Sequence, residues 1–181
     1  LPAARVHLLP LAAGLAAAEA IGAASDLAAD LRWPNDLLIG ERKAGGILVE
    51  SKLEADRLVF AVAGIGINVH QRGFASDLAT PATSLDLAAG RAVSREALLV
   101  ALLESLEREA HALLQPTAGS TLPMRVAAAS TWVRGRQVKV HGPQACAGVT
   151  AGLDEHGFML VDTTQGRVTV RTGGMRAAKA G

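Results

Sequence analysis

Between Pro10 and Ala24 nearly every position is alanine, leucine, glycine or isoleucine, and Glu19 is the one charge. A proline fits the first turn of a helix, and the residues after it have high helix propensity, so a helix is predicted over 10–24. Being apolar on all sides, it should be buried against a sheet. The texture then changes. Asp30–Trp33 reads as a short strand ended by Pro34, which cannot donate to a ladder and holds its predecessor extended. "NDLLIGERKAGGILVESKL" predicts a hairpin turning at Gly40–Arg42, and "DRLVFAVAGIGINV" a third strand rich in valine and isoleucine. Small and polar residues from Phe74 to Gly90, around "PATSL", predict a loop.

From Ser94 to Leu114 apolar residues recur at three- and four-residue spacing with charges between them, the signature of an amphipathic helix capped by Ser94 at Ala97. "QPTAGSTLP" is expected to break it. After Trp132 come short alternating runs, "RQVKVHG", "ACAGVTAGLD", "GFMLVD" and "GRVTVRTGG", separated by Gly, Asp and His turns. They predict a small antiparallel barrel of roughly 45 residues, too small to be secure alone, leaning on its neighbour. The boundary is set near Gly135, giving units 1–134 and 135–181, the latter closing in a short "AAKAG" tail.

Composition narrows the function classes. Aromatics are 3% of 181 residues, and 18 Lys plus Arg are interspersed with 17 Asp plus Glu. With few stacking surfaces and no basic face, nucleic acid is not the expected partner. The single Cys146 has no disulfide or zinc partner, which places the chain in the cytoplasm by default. The N-terminal segment imitates a signal peptide, but Glu19 interrupts it. The uncharged run Leu8–Ala18 is also shorter than the ~18 apolar residues a membrane span needs, so no membrane role is expected.

Chemistry concentrates in "RWPNDLLIGERKAGGIL", Arg32 to Leu48. Trp33 reads either as core filling, with Asn35 and Asp36 forming a turn after Pro34, or as part of a site. Lys43 precedes Ala44, Gly45 and Gly46, which leave room for a ligand against the backbone. In a partly buried cleft such an ammonium ~4 Å from a phosphate or carboxylate oxygen is worth roughly 4 kcal/mol at an effective dielectric of about 20. Realised only in a transition state, that is on the order of a thousandfold in rate. "GIGIN", Gly64 to Asn68, lacks the third glycine and following helix of a dinucleotide fingerprint. Its two glycines instead leave a bare stripe on one strand face, beside Asn68, which could read an adenine edge or shape a turn. His7, His70, His111, His141 and His156 show no metal-ligand spacing and read as surface or turn residues, and no serine sits in a nucleophile elbow.

"RWPNDLLIGERKAGGILVES" followed by "GIGINV", then "ATSL" and a closing small barrel, resembles the biotin protein ligases over nearly the whole chain. The resemblance implies an α+β fold, a mixed sheet flanked by helices in a class II synthetase-like catalytic domain, followed by an SH3-like C-terminal domain. It implies a two-step reaction: biotin's carboxylate attacks the α-phosphate of ATP, with Mg²⁺, to give biotinyl-5′-AMP and pyrophosphate. A lysine of a biotin carboxyl carrier protein domain then takes the biotinyl group.

The resemblance makes Lys43 the catalytic residue and puts Arg32, Trp33, Asn35, Asp36, Gly45, Gly46, Ile47, Gly64, Gly66 and Asn68 around biotin and nucleotide, with Asp36 near Mg²⁺. Arg32 stands where the family usually has lysine. Nothing here matches the family's upstream Gly-Arg-Gly-Arg-x-Gly-Arg loop, which closes over the adenylate. The chain alone is therefore expected to adenylate biotin weakly, the alternative being an inactive nucleotide- or carrier-binding fragment. The family's N-terminal DNA-binding helical domain has no counterpart here either, so repression is not inferred. Lipoate or octanoyl transferases match the paired motifs less well. A homodimer paired through sheet edges is a further expectation.

Overall fold

The computed structural model describes residues 1–178; residues 179–181, the end of the alanine-rich tail, lie outside it. A 3-10 turn (Ala3–Leu8) leads into α1 (Leu9–Ser25). The strands β1 (Asp30–Arg32), β2 (Asp36–Ile39), β3 (Arg42–Glu54) and β4 (Arg57–Ile67) follow. Next come α2 (Leu85–Ala89), α3 (Arg95–Leu114) and α4 (Ala118–Ala128). Five further strands close the chain: β5 (Arg134–His141), β6 (Cys146–Leu153), β7 (Met159–Thr163), β8 (Gly166–Val170) and β9 (Gly174–Ala177).

The first four strands form one sheet in order β1-β2-β3-β4, and the last five a second in order β8-β7-β6-β5-β9. The expectation of a mixed sheet is corrected: every ladder among the described residues is antiparallel, and the one parallel pairing is the isolated bridge of Lys43 with Ala82. Strands joined in sequence by tight turns must run antiparallel, because a parallel pair needs a long crossover.

Alanine content explains how α1 is placed. Ala16, Ala17 and Ala20 are fully buried, and small side chains let the helix lie close to both the sheet and α3. The helical stretch Ala3–Ser25 is long and apolar enough to cross a membrane, yet more than half of its apolar 18-residue window is buried inside the fold. The helix predicted over 10–24 is therefore a core helix, as the all-round apolar pattern implies.

Ser94 caps α3 by accepting from the Ala97 N–H at 3.1 Å, the cap read from sequence. The breaker segment, by contrast, folds as α4 with Pro123 inside it. Pro123 removes one backbone bond, to the carbonyl of Gly119. Burial of Leu122, Pro123 and Val126 offsets it, as does the Arg125–Glu109 ion pair, whose carboxylate is buried. The segment expected as a loop likewise includes a short helix, α2, capped by the Ser84 hydroxyl.

The two sheets meet through the N-terminal segment. The Trp33 indole donates to the Gly157 carbonyl at 3.0 Å, and Gly157 adopts φ +80°. A Cβ there would sit 2.6 Å from Leu11 Cδ1, so glycine is required both by conformation and by space. His7 is not a surface residue. Its ring packs 4.9 Å from the Phe158 ring and 5.8 Å from that of His156, with Nε2 buried and unpartnered.

Candidate functional site

Arg32 and Asp36 face each other in register across β1 and β2, joined by the turn Trp33–Asn35 with a cis Trp33–Pro34 bond. That register makes an ion network. Arg32 donates to Asp36 Oδ2 through Nε at 3.1 Å and through a terminal nitrogen at 2.6 Å, and also to the Thr80 hydroxyl at 3.0 Å. The other Asp36 oxygen pairs with Lys43 Nζ. Asp36 thus bridges a buried guanidinium and a lysine whose side chain is 42% exposed, enough to meet a ligand.

The Lys43 backbone is held as firmly as its side chain. Its N–H donates to the Pro81 carbonyl at 2.8 Å, and its carbonyl accepts from the Thr83 N–H at 2.9 Å. The segment over 81–83 is therefore a clamp beside β3.

Beyond Lys43 lies the bare floor. Gly46 pairs with Gly66 and Leu48 with Gly64 across β3 and β4, so the three glycines share one face. A Cβ on Gly46 would lie 3.4 Å from Lys43 Nζ, so the lysine crosses directly over this backbone. Gly64 and Gly66 have only ordinary clearances around them, and both are exposed. Their missing side chains leave open space rather than a tight packing contact. Gly45 differs: a Cβ there would come within 2.5 Å of the Gly66 carbonyl oxygen, so its role is to let the two strands close up.

Asn68 ends this floor. Its amide donates to the Thr83 carbonyl at 3.1 Å, and its backbone N–H to the Ala44 carbonyl at 2.8 Å.

These residues line one continuous trough in three compartments. One of 510 Å³ is bounded by Lys43, Gly46, Gly66 and Asn68. The next, 290 Å³, shares Lys43 and Thr80 with it and adds Asp36, Arg32, His141 and Arg176. The third, 840 Å³, shares Arg32, Thr80, His141 and Arg176, and runs on past Lys139. Lys43 stands at the junction of the first two.

Four expected residues also do structural work. Trp33 is 5% exposed and fills the contact between the sheets, and the Ile47 side chain is 3% exposed in the core. Asn35 spends its side-chain amide on the Ile47 carbonyl at 2.7 Å, tying the turn to β3. Asp36 does not fit a resident Mg²⁺: both its oxygens are taken by Arg32 and Lys43. Among the described residues no group of three His, Cys, Asp or Glu side chains converges to hold a metal. A carboxylate neutralised by two cations has little left for a third.

Residues unmarked in the sequence complete the trough: Thr80, which anchors Arg32, and His141 and Arg176 from the second sheet. His141 and Arg176 lie about a hundred residues or more beyond Lys43 and carry no local motif.

Residues 2–68, which carry the network, the lysine and the glycine floor, match the model of the biotin/lipoate A/B protein ligase family. The bifunctional ligase/repressor BirA of Bacillus spizizenii is 32% identical over 174 residues, 92% of this chain and 51% of that protein. The biotin protein ligase of Aquifex aeolicus superposes with a TM-score of 0.80 at 27% identity, over 96% of this chain and 76% of that one. The chain belongs to the biotin protein ligase family. The biotin--[acetyl-CoA-carboxylase] ligase of Mycobacterium tuberculosis is 31% identical over 169 residues, 91% of this chain and 60% of that ligase. The Aquifex aeolicus ligase has also been solved in complex with biotin and ATP, and that structure superposes with a TM-score of 0.78. The chain spans about half the length of the BirA relatives it matches.

Proposed function

We propose that this biotin ligase family chain activates biotin with ATP to biotinyl-5′-AMP and carries the biotinyl group to a lysine of a biotin carboxyl carrier protein domain. The observation that carries the reading is Lys43: a half-exposed ammonium, fixed by Asp36 and by its own backbone clamp, lying over Gly46 at the head of an open glycine floor. An ammonium held there neutralises charge where a carboxylate oxygen attacks phosphorus, and again where an amine attacks the acyl phosphate. Because Asp36 fixes the amine in advance, little reorganisation is needed as charge develops.

In this reading the adenine lies toward Asn68, over Gly66, and the acyl phosphate lies beside Lys43. Arg32 acts through Asp36 and does not touch the substrate. Mg²⁺ has no seat among these side chains, and no step is assigned to it.

The unit 135–181, which contains most of the second sheet, is taken as the SH3-like one, and 1–134 as the catalytic one. Support comes from its five short antiparallel strands, β5 to β9, with Val138, Val140, Met159 and Val161 buried. The open edge of β4, with Val59, Phe60 and Val62 at least half exposed, is the place proposed for pairing with a second copy. The cytoplasm is the proposed setting. The fragment reading is the less favoured one, since the ion network and the glycine floor are both assembled.

The test is biotin-dependent pyrophosphate exchange with ATP, together with calorimetric binding of biotinyl-5′-AMP, on the chain and on Lys43→Ala. Loss of about three orders of magnitude in exchange rate is expected for the variant. Equal rates in the two proteins would remove Lys43 from the chemistry and the reading with it.

A further inference from the structure

The two bonds that Arg32 gives to Asp36 end on the same atom. Nε reaches Asp36 Oδ2 at 3.1 Å and a terminal nitrogen reaches it at 2.6 Å, while the other carboxylate oxygen, Oδ1, holds the Lys43 amine. Guanidinium and carboxylate frequently meet instead as two parallel forks, one nitrogen to each oxygen. That arrangement would spend Oδ1 on Arg32 and leave Lys43 without its anchor.

Bonds that converge on one oxygen form a hinge, and the guanidinium needs a further contact to keep it from turning toward Oδ1. Its central carbon lies over the Trp132 ring, 5.2 Å from the centroid, which limits movement toward the ring but not the turn about Oδ2. The Thr80 hydroxyl supplies the missing contact, accepting from the same terminal nitrogen at 3.0 Å. One proton of that nitrogen goes to Oδ2 and the other to Thr80, so neither is left for Oδ1. Thr80 is itself held beside the lysine. Its neighbour Pro81 accepts the Lys43 N–H at 2.8 Å, and Ala82 forms the parallel bridge with Lys43.

We infer that Thr80 is a positioning residue for the activation reaction: its hydroxyl holds the Arg32 guanidinium on Oδ2 and so keeps Oδ1 for Lys43. The effect passes through two side chains, Arg32 and Asp36, before it reaches the working amine. The inference rests on the reaction proposed above, which assigns that amine its role. An amine displaced by about an ångström no longer sits where charge develops, and a misplacement of that order costs up to about a hundredfold in rate.

The experiment compares Thr80→Val, which removes the hydroxyl and keeps the side-chain shape, with Thr80→Ser, which keeps the hydroxyl. Circular dichroism confirms the fold, and Thr80→Ala replaces the valine variant if that one does not fold. In biotin-dependent pyrophosphate exchange Thr80→Val should lower kcat by between about tenfold and a hundredfold, with KM for ATP and biotin within about twofold of the parent. Thr80→Ser should recover most of the rate. Ser76→Ala, which removes an exposed hydroxyl from the same loop, should leave it unchanged. With Arg32→Met already in place, Thr80→Val should lower kcat by less than about a further twofold, because its route is gone.

A second readout does not depend on turnover. Trace acetylation by acetic anhydride, read by mass spectrometry, compares Lys43 with Lys52, whose amine pairs with Glu54 away from the site. An amine tied to a carboxylate reacts slowly. Thr80→Val should raise the labelling of Lys43 relative to Lys52 by about threefold, the size of a half-exposed ion pair lost, and Thr80→Ser should not.

The proposal is overturned if either kcat or the labelling of Lys43 in Thr80→Val matches the parent. It is also overturned if KM alone rises, which would make the hydroxyl a substrate contact, or if Thr80→Val costs its full factor in the Arg32→Met background. Absence of exchange in the parent chain would instead sink the activation reading, and the labelling ratio would still decide whether Thr80 places the amine.

Discussion

Asp36 and Lys43 are joined by one ion pair but should respond differently to mutation. Asp36 is the shared counter-charge of a side chain that is 6% exposed, that of Arg32. Asp36→Asn leaves that guanidinium buried without a full charge partner and is expected to cost about 3 kcal/mol of stability, read as a lower denaturation midpoint. Lys43 is partly solvated, so Lys43→Met should change stability by less than about 1 kcal/mol while abolishing pyrophosphate exchange. Equal destabilisation by the two changes would mean that Lys43 is a structural cation. The sequence gives both residues the same prominence, because both lie in one dense motif. Only the exposure difference separates the charge buried within the site from the charge open to a ligand.

Glycine plays opposite parts within the β3–β4 hairpin. Gly45→Ala forces a methyl against the Gly66 carbonyl and is expected to destabilise by roughly 2 kcal/mol, within the usual cost of overpacking. Gly66→Ala meets nothing closer than 3.9 Å. It should leave the thermal midpoint unchanged or slightly raised, since glycine in a strand interior is itself a mild cost, while weakening biotinyl-5′-AMP. A calorimetric scan of both variants alongside a ligand titration checks the pair. From sequence the two glycines look alike, and the spacing of Gly64 and Gly66 rightly marks a bare stripe. The missed element, α4, shows the other limit: a proline and a run of small residues read locally as a break. The helix forms because Arg125 meets the buried Glu109 carboxylate of α3 and because Leu122 and Val126 are buried.

At the scale of the whole molecule, the N-terminal segment joins the two sheets, and this joint should be sensitive to acid. Burial first, and the nearby His156 second, hold the His7 pKa below its ordinary value. The folded state therefore binds fewer protons than the unfolded one near pH 6.5. Stability should be fullest above that pH and decline as pH falls below it. Melting temperature followed from pH 7.5 to 5 should fall, and His7→Phe, which keeps the ring against Phe158, should flatten the decline. An unchanged slope in that variant would assign the sensitivity elsewhere. Gly157→Ala should loosen the same joint by several kcal/mol at any pH, because φ is +80° and Leu11 fills the space.

What the chain determined by itself was whatever depends on neighbours in sequence: the buried alanine helix, the cap at Ser94, the hairpins, and the lysine set before two glycines. These signals are short-range, and propensity, turn chemistry and alternation are enough to express them. Tertiary structure decided which charges meet and which faces are covered. It turned Asp36 from an expected metal neighbour into the bridge between Arg32 and Lys43, and put Trp33 under Gly157. It also brought His141 and Arg176 to the trough that begins at Lys43. Those outcomes depend on side chains up to about 140 residues apart, whose meeting is set by the packing of two sheets rather than by any local pattern.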